Sequence, residues 1–174
     1  SPGTVTVCPS RVMLSPLMAS TVPLRLKSSG SEAAAALTAS LQEAVPGATF
    51  ERAPSLDLHP TLYASRDQVP DVARVLRDRP DLRFAFLAEL TAVDYHPREP
   101  RFELVYILVS IEHRHRLRLK VRLQGGDAHV RTVSEVWPGA NWLEREVWDL
   151  FGIVFDGHPD PRRLLMPEDW EGYP

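Results

Sequence analysis

Cysteine is nearly absent: Cys8 is the single one in 174 residues. Its solitude excludes an internal disulfide, any Cys-x-x-Cys zinc or redox motif and a four-cysteine iron–sulfur site, and it fits a reducing compartment. Long apolar runs are missing too. None reaches the roughly 18 to 20 residues that a membrane span requires, so any membrane association is peripheral. Strong net charge is also lacking: 20 Lys and Arg against 23 Asp and Glu leave -3, which gives no global attraction to nucleic acid or anionic lipid. There is no Gly-x-Gly-x-x-Gly after a strand, no Gly-rich phosphate loop ending in Lys-Ser/Thr and no Gly-x-Ser-x-Gly turn. Nucleotide and acyl-transfer chemistry are therefore without support.

What remains is the composition of an ordinary globular chain of a length that buries one core, with 16 prolines that imply many short elements. Residues 1–30 carry Arg11, Arg25 and Lys27, no acid and four prolines. They are expected to be a flexible leader, an unstructured tail rather than a transit peptide. The domain is expected over 31–152. "SEAAAALTASLQEAVPG" offers an N-cap serine at Ser31, alanine-rich helix propensity and a Pro-Gly stop. Short strands are expected at "ATFERA" and "TLYAS". The stretch "SRDQVPDVARVLRDRP" predicts a second helix, opened by a capping box of Ser65 and Gln68, with Val69, Val72, Val75 and Leu76 at helical spacing.

Three strands follow. "RFELVYILVS" is apolar on both faces and is expected at the centre of the sheet, with "FAFLAELTAVDY" before it and "HRLRLKVRLQ" after it. In the last, Leu117, Leu119, Val121 and Leu123 alternate with a basic stripe of Arg114, Arg116, Arg118, Lys120 and Arg122. Such a stripe can track a phosphate backbone, and a nucleic-acid module is one rival reading. The absence of stacking aromatics on that face favours a solvated face paired with acids such as Glu103. His113 and His115 lie two apart and can point together, but no third metal ligand stands at a recognisable spacing.

The run from Asn141 onward predicts a helix closed near Gly152. At about 100° per residue, Leu143, Val147, Leu150 and Phe151 form the apolar arc, and Trp142, Arg145, Glu146 and Asp149 lie opposite. Arg145 and Asp149 are four apart and can pair. Glu144 sits at the margin of the apolar arc, where a half-buried carboxylate needs a cation, and Arg162 and Arg163 are the expected donors. A small hydrolase using Glu144 and Glu146 is the second rival, since paired carboxylates in unlike environments perform acid–base chemistry. The segment 153–174 has too many prolines and glycines for regular structure and is expected to be an extended arm along a partner.

Glu144, Arg145, Glu146, Asp149, Leu150, Phe151, His158, Arg162, Leu164 and Leu165 stand at the spacing of a known motif. In this run the chain resembles the C-subunit family (30 kDa-type) of respiratory complex I, the proton-translocating NADH:quinone oxidoreductase, and "FLAELTAVDY" and "MPEDWEGYP" are similar to family sequence as well. Relatives usually continue beyond Tyr173-Pro174 with a basic segment. The resemblance implies a structural subunit of the peripheral arm, packed against the hydrogenase-like D subunit and its neighbours. It implies no cofactor on this chain, with NADH, flavin, iron–sulfur clusters and quinone in partner subunits. It places the protein on the cytoplasmic side of a bacterial inner membrane, or the matrix side in mitochondria. Equivalent subunits of photosynthetic NDH-type complexes or membrane-bound hydrogenases are the nearest alternative. The fold expected is α+β, helices on a mixed, largely antiparallel sheet. Arg145, Glu146, Asp149, His158, Arg162 and Arg163 are the expected partner-facing residues, and Glu144, Leu150 and Phe151 the structural ones.

Overall fold

A computed structural model describes residues 30–57 and 59–174 of the chain, so the expected leader lies, apart from Gly30, outside the described residues. The doubly apolar strand β4 (Phe102–Ser110) is hydrogen-bonded on both edges, antiparallel to β3 (Phe86–Asp94) and to β5 (His115–Leu123). β5 runs parallel to β2 (Thr61–Ala64), which pairs antiparallel with β1 (Phe50–Arg52). The order β1-β2-β5-β4-β3 makes the five-stranded sheet mixed and mainly antiparallel. β5, rather than the expected β4, is its middle strand, because the parallel β2 adds two further strands on the β5 side.

One face of this sheet meets the helices. Leu62, Leu87, Leu90, Leu104, Tyr106, Leu108, Leu117, Leu119 and Val121 are buried there in one cluster with Leu37 and Leu41 of α1 (Gly30–Ala44), Val72 and Leu76 of α2 (Val69–Asp78) and Val147 of α3 (Ala140–Phe151). Each such side chain contributes roughly 1.5–3 kcal/mol through burial. A bulge between Leu87 and Glu89 resets the alternation of β3, so that Leu87 and Leu90, an odd number apart, both turn inward. The sequence pattern predicts this strand without revealing the bulge.

The other face carries the basic stripe. Lys120 Nζ lies 2.7 Å from Glu103, Arg122 2.7 Å from Glu51 and Arg118 2.6 Å from Asp57. Tyr63 donates its hydroxyl to Glu103 at 2.6 Å, and the Arg122 guanidinium lies 3.6 Å from the centre of the Tyr63 ring. Burial pushes the Glu103 carboxyl up, but Lys120 and Tyr63 outweigh it and hold it below its ordinary range. The stripe is therefore cross-paired, as the acid on the neighbouring strand suggested. It is also shorter than expected: Arg114 is in the β4–β5 turn with φ 54 rather than on the strand.

Three local expectations change. The capping box does not form: a short 3-10 turn over Arg66–Gln68 precedes α2, Ser65 makes no cap bond, and the Gln68 side chain accepts the Thr49 amide at 3.4 Å instead. Leu150 and Phe151 are half-buried rather than core. The segment after Gly152 is not wholly irregular: β7 (Val154–Asp156) pairs parallel with β6 (His129–Arg131). Three extended residues suffice for that pairing, too few to register against the surrounding prolines and glycines. Gly152 itself closes α3 at φ 73, as expected of a left-handed cap.

Candidate functional site

α3 places three charged side chains under the C-terminal arm. Glu144 and Asp149 are 0% exposed and Arg145 6%. Burying a charge is costly unless its bonds are satisfied, so each must find a partner in the fold. Each finds backbone.

Asp149 holds the arm's end. Its Oδ2 accepts three successive amides, Leu164 at 3.0 Å, Leu165 at 2.7 Å and Met166 at 2.8 Å, and its Oδ1 accepts Arg163 Nη1 at 2.7 Å. Consecutive amides converging on one oxygen form an anion-binding concavity, here filled by the chain's own carboxylate. Burial alone would raise this carboxyl. The Met166 amide, the Arg163 guanidinium and the amides of Leu165 and Leu164 outweigh it and bring it down to about 2. Arg163 also donates to the carbonyls of Trp170 and Gly172, at 2.9 and 3.1 Å, which folds the chain's end back toward α3.

Arg145 grips the preceding turn. Its Nε donates to the Arg162 carbonyl at 2.9 Å and its Nη2 to the Arg163 carbonyl at 3.0 Å, while Nη1 lies 3.5 Å from Asp160. The planar guanidinium suits two adjacent carbonyls, a geometry that Lys does not offer. The expected pairing of Arg145 with Asp149 is not made. Both sites lie on one side of α3, but the returning arm supplies each with closer partners that helical periodicity does not contain.

Glu144 is deeper than its marginal place on the helical projection suggested, and its partners differ from those expected. Arg162 and Arg163 are turned to Asp160 and Asp149. Glu144 instead accepts the Val133 amide at 2.7 Å and sits 2.5 Å from the Thr132 hydroxyl, with His158 Nε2 3.8 Å away. Desolvation pushes its carboxyl up to about 7, against the lowering effect of the Thr132 and Val133 bonds. His158 is fixed at both ring nitrogens: Nε2 lies 3.0 Å from the Asn141 carbonyl and Nδ1 accepts the Asp160 amide at 3.1 Å.

The predicted site residues are thus brought together, in altered roles. Arg145, Asp149, His158 and Arg163 are internal clasps of the arm. Arg162, 78% exposed at its side chain, pairs with Asp160 at 2.6 Å and faces outward, and Glu146 is half-buried and its side chain makes no hydrogen bond or ion pair among the described residues. The outer surface of this region is more aromatic than expected, with Trp142, Leu165, Trp170 and Tyr173 all exposed. The carboxylate pair needed by a hydrolase is not assembled, since Glu144 is sealed from any substrate. His113 Nε2 lies 2.8 Å from the Pro80 carbonyl, and among the described residues no group of three His, Cys, Asp or Glu is arranged to hold a metal. Sequence reasoning missed Asp160, whose place between two prolines and two residues after His158 marks a turn. It missed Thr132 and Val133 as well, whose contacts with Glu144, through a hydroxyl and a backbone amide, leave no sequence signal.

Residues 62–174 match the family model described as the respiratory-chain NADH dehydrogenase 30 Kd subunit. The chain is similar to the C subunit of NADH-quinone oxidoreductase from Roseiflexus castenholzii, with 50% identity over 140 residues that cover 80% of this chain and 78% of the relative. It is similar as well to the C/D subunit of NADH-quinone oxidoreductase from Acidiphilium cryptum, 44% identical over 133 residues, which cover 72% of this chain and 22% of the relative. Among solved structures, the trypsin-resistant fragment (1-134) of Nqo5 superposes with a TM-score of 0.50 at 34% identity, covering 71% of this chain and 98% of the fragment.

Proposed function

This chain belongs to the family of the 30 Kd subunit of respiratory-chain NADH dehydrogenase and is a subunit of an NADH-quinone oxidoreductase, and from that membership we propose that it is a non-catalytic docking subunit whose clasped C-terminal arm packs against the D subunit. The observation that carries the reading is the arrangement of the arm. Its backbone amides and carbonyls and Arg163 are turned inward onto α3, and Leu165, Trp170 and Tyr173, with Trp142 of the helix, are exposed on the outer surface beside the charged Arg162, Glu168, Asp169 and Glu171. Aromatic and large aliphatic side chains on a pre-ordered backbone are the residues that dominate interface energies, because their ordering cost is already met before binding. The D subunit is favoured because one relative is named a C/D subunit and this chain spans 22% of it: two subunits joined in one polypeptide stay within reach of each other.

In this reading NADH, flavin, iron–sulfur clusters and quinone are held by partner subunits, and nucleic acid is not a partner, since three of the four strand cations are already paired with acids. No helix of the described residues is long and apolar enough to cross a membrane. The protein reaches the membrane through the complex, on its cytoplasmic side in a bacterium or its matrix side in a mitochondrion. The test is Leu165→Ala with Trp170→Ala, two exposed side chains whose backbone bonds survive the change. A native circular dichroism spectrum with at least tenfold weaker co-purification with a tagged D subunit is expected. Full co-purification with that partner would overturn the docking surface. Full assembly with slower quinone reduction per complex would overturn the non-catalytic role.

A further inference from the structure

Glu144 and His158 are a pair of titratable groups buried between α3 and the arm, with side chains 0% and 4% exposed and 3.8 Å between Nε2 and Oε2. They border a cavity of about 40 Å³ whose other walls include Trp148, Val154, Phe155 and Pro161. Apolar walls give little screening, so a charge formed on either group acts strongly on the other. The further charged and titratable groups facing the pair are few. Arg145 borders the cavity but directs its guanidinium to the arm's carbonyls and Asp160. Tyr106 of β4 is buried with no partner for its hydroxyl, and burial, with the Glu144 charge, raises it well above its ordinary range, so it stays neutral. Asp160 is held low by Arg162.

The hydrogen bonds around the pair are all made with both groups neutral, which leaves no buried charge to be solvated. A protonated Glu144 Oε2 donates to Thr132 Oγ1, which then donates to Ser134 Oγ at 2.9 Å, while the Val133 amide donates to Oε1. His158 accepts the Asp160 amide at Nδ1 and donates from Nε2 to the Asn141 carbonyl. If Glu144 loses its proton to solvent, the Thr132 hydroxyl turns to the carboxylate and Ser134 becomes the donor of the 2.9 Å bond between the two hydroxyls, so the buried charge has only the Thr132 hydroxyl and the Val133 amide as donors. His158 Nε2–H, 3.8 Å from Oε2, can serve as a further donor only by leaving Asn141. A second proton on His158 offers no remedy, because Nδ1–H would face the Asp160 N–H.

We propose that Glu144 and His158 form a proton-controlled latch on the arm: the turn at 158–160 is closed on α3 while Glu144 keeps its proton, and loosens as Glu144 gives it up. Burial holds the Glu144 carboxyl up at about 7 in the closed state, whereas a carboxyl released to water ionises near its ordinary value of about 4.3. The open state therefore loses its proton first as pH rises. Opening gains up to about tenfold per pH unit between these values and levels off above the upper one. The latch is a property of this chain alone and goes beyond the docking reading, which stands whether or not the latch is found.

The test is amide exchange of Asp160 in the full chain, followed by NMR from pH 5 to 8.5 and corrected for the intrinsic pH dependence of exchange, in the wild type and in Glu144→Gln, which mimics the neutral carboxyl. Protection in the wild type should fall by at least tenfold between pH 5 and 7 and then level off, and in Glu144→Gln it should be flat. A fall that persists in Glu144→Gln would assign the effect to His158 and overturn the proposal. Should that variant not fold, the wild-type Glu144 carboxyl carbon signal decides. A midpoint near 7 with a parallel change at the Asp160 amide supports the latch, and a midpoint in the ordinary carboxylate range, or no change at Asp160, overturns it.

Discussion

Replacing Asp149 by asparagine keeps the shape of the side chain and removes its charge, which isolates what that charge does for the arm. If the asparagine carbonyl stays in the cradle of the Leu164, Leu165 and Met166 amides, its NH2 group points at Arg163, donor against donor. Breaking a buried ion pair by neutralising one partner costs about 3–5 kcal/mol. The Arg163 side chain is 15% exposed and can turn to water, which selects the lower end of that range. The three amide bonds weaken as well, because a neutral acceptor forms a weaker bond than a charged one. A loss of about 3 kcal/mol corresponds to more than a hundredfold in an opening equilibrium. The arm opens before the core does, so exchange protection at Leu164–Met166 should fall by about a hundredfold. Amides of β4 should be unaffected, and the melting temperature should fall by at most about 10 °C. Acid should act the same way on the wild type. With the folded-state carboxyl held at about 2, below its ordinary value, the unfolded chain takes up the proton first as pH falls. The Asp149 contribution is therefore complete above about pH 4 and is lost as pH falls through about 2. Unchanged protection of the three amides in Asp149→Asn, with the fold intact, would refute the clasp.

Other substitutions probe separate links. Arg116→Glu with Arg118→Glu removes one exposed ion pair, Arg118 with Asp57, and should change stability by no more than about 1 kcal/mol; sub-micromolar RNA or DNA binding lost in this variant, with a steep salt dependence, would revive the nucleic-acid reading. Gly152→Ala should destabilise the chain by about 1–2 kcal/mol in thermal or urea melts, from the left-handed φ of 73 alone, and a Cβ there would stand 2.6 Å from Tyr173. Adding Tyr173→Ala should recover only the steric part of that loss, and complete recovery would show that the backbone is not strained.

Much of the fold was legible because its signals are local. The period of two in 115–123, the doubly apolar 102–110 and the helical spacing of Val69, Val72 and Leu76 each arise from how a strand or helix presents successive side chains. The basic stripe's partners were legible in part, since Glu103 lies on the adjacent strand, whereas Asp57 and Glu51 come from distant segments. In place of the capping box, the Gln68 amide bonds the Ser65 carbonyl at 3.1 Å in a 3-10 turn and the Gln68 side chain accepts the amide of Thr49, nineteen residues away in sequence.

By itself the sequence determined the three helices, the strands of the main sheet, the α+β class, the helix ending at Gly152 and, through the spacing from Glu144 to Leu165, the family, but not the short pair β6 and β7. It also singled out Glu144, Arg145, Asp149, His158 and Arg163, though not Asp160. Which of them pair was decided only by the tertiary structure. A helical projection measures angles about one axis, and on that measure Arg145 and Asp149 are partners and Glu144 is marginal. The returning arm and the loop at 132–134 bring backbone amides and carbonyls within 3 Å of all three. A buried charge takes the partners that replace its lost water, and those partners belong to whichever segment the chain reversal brings there.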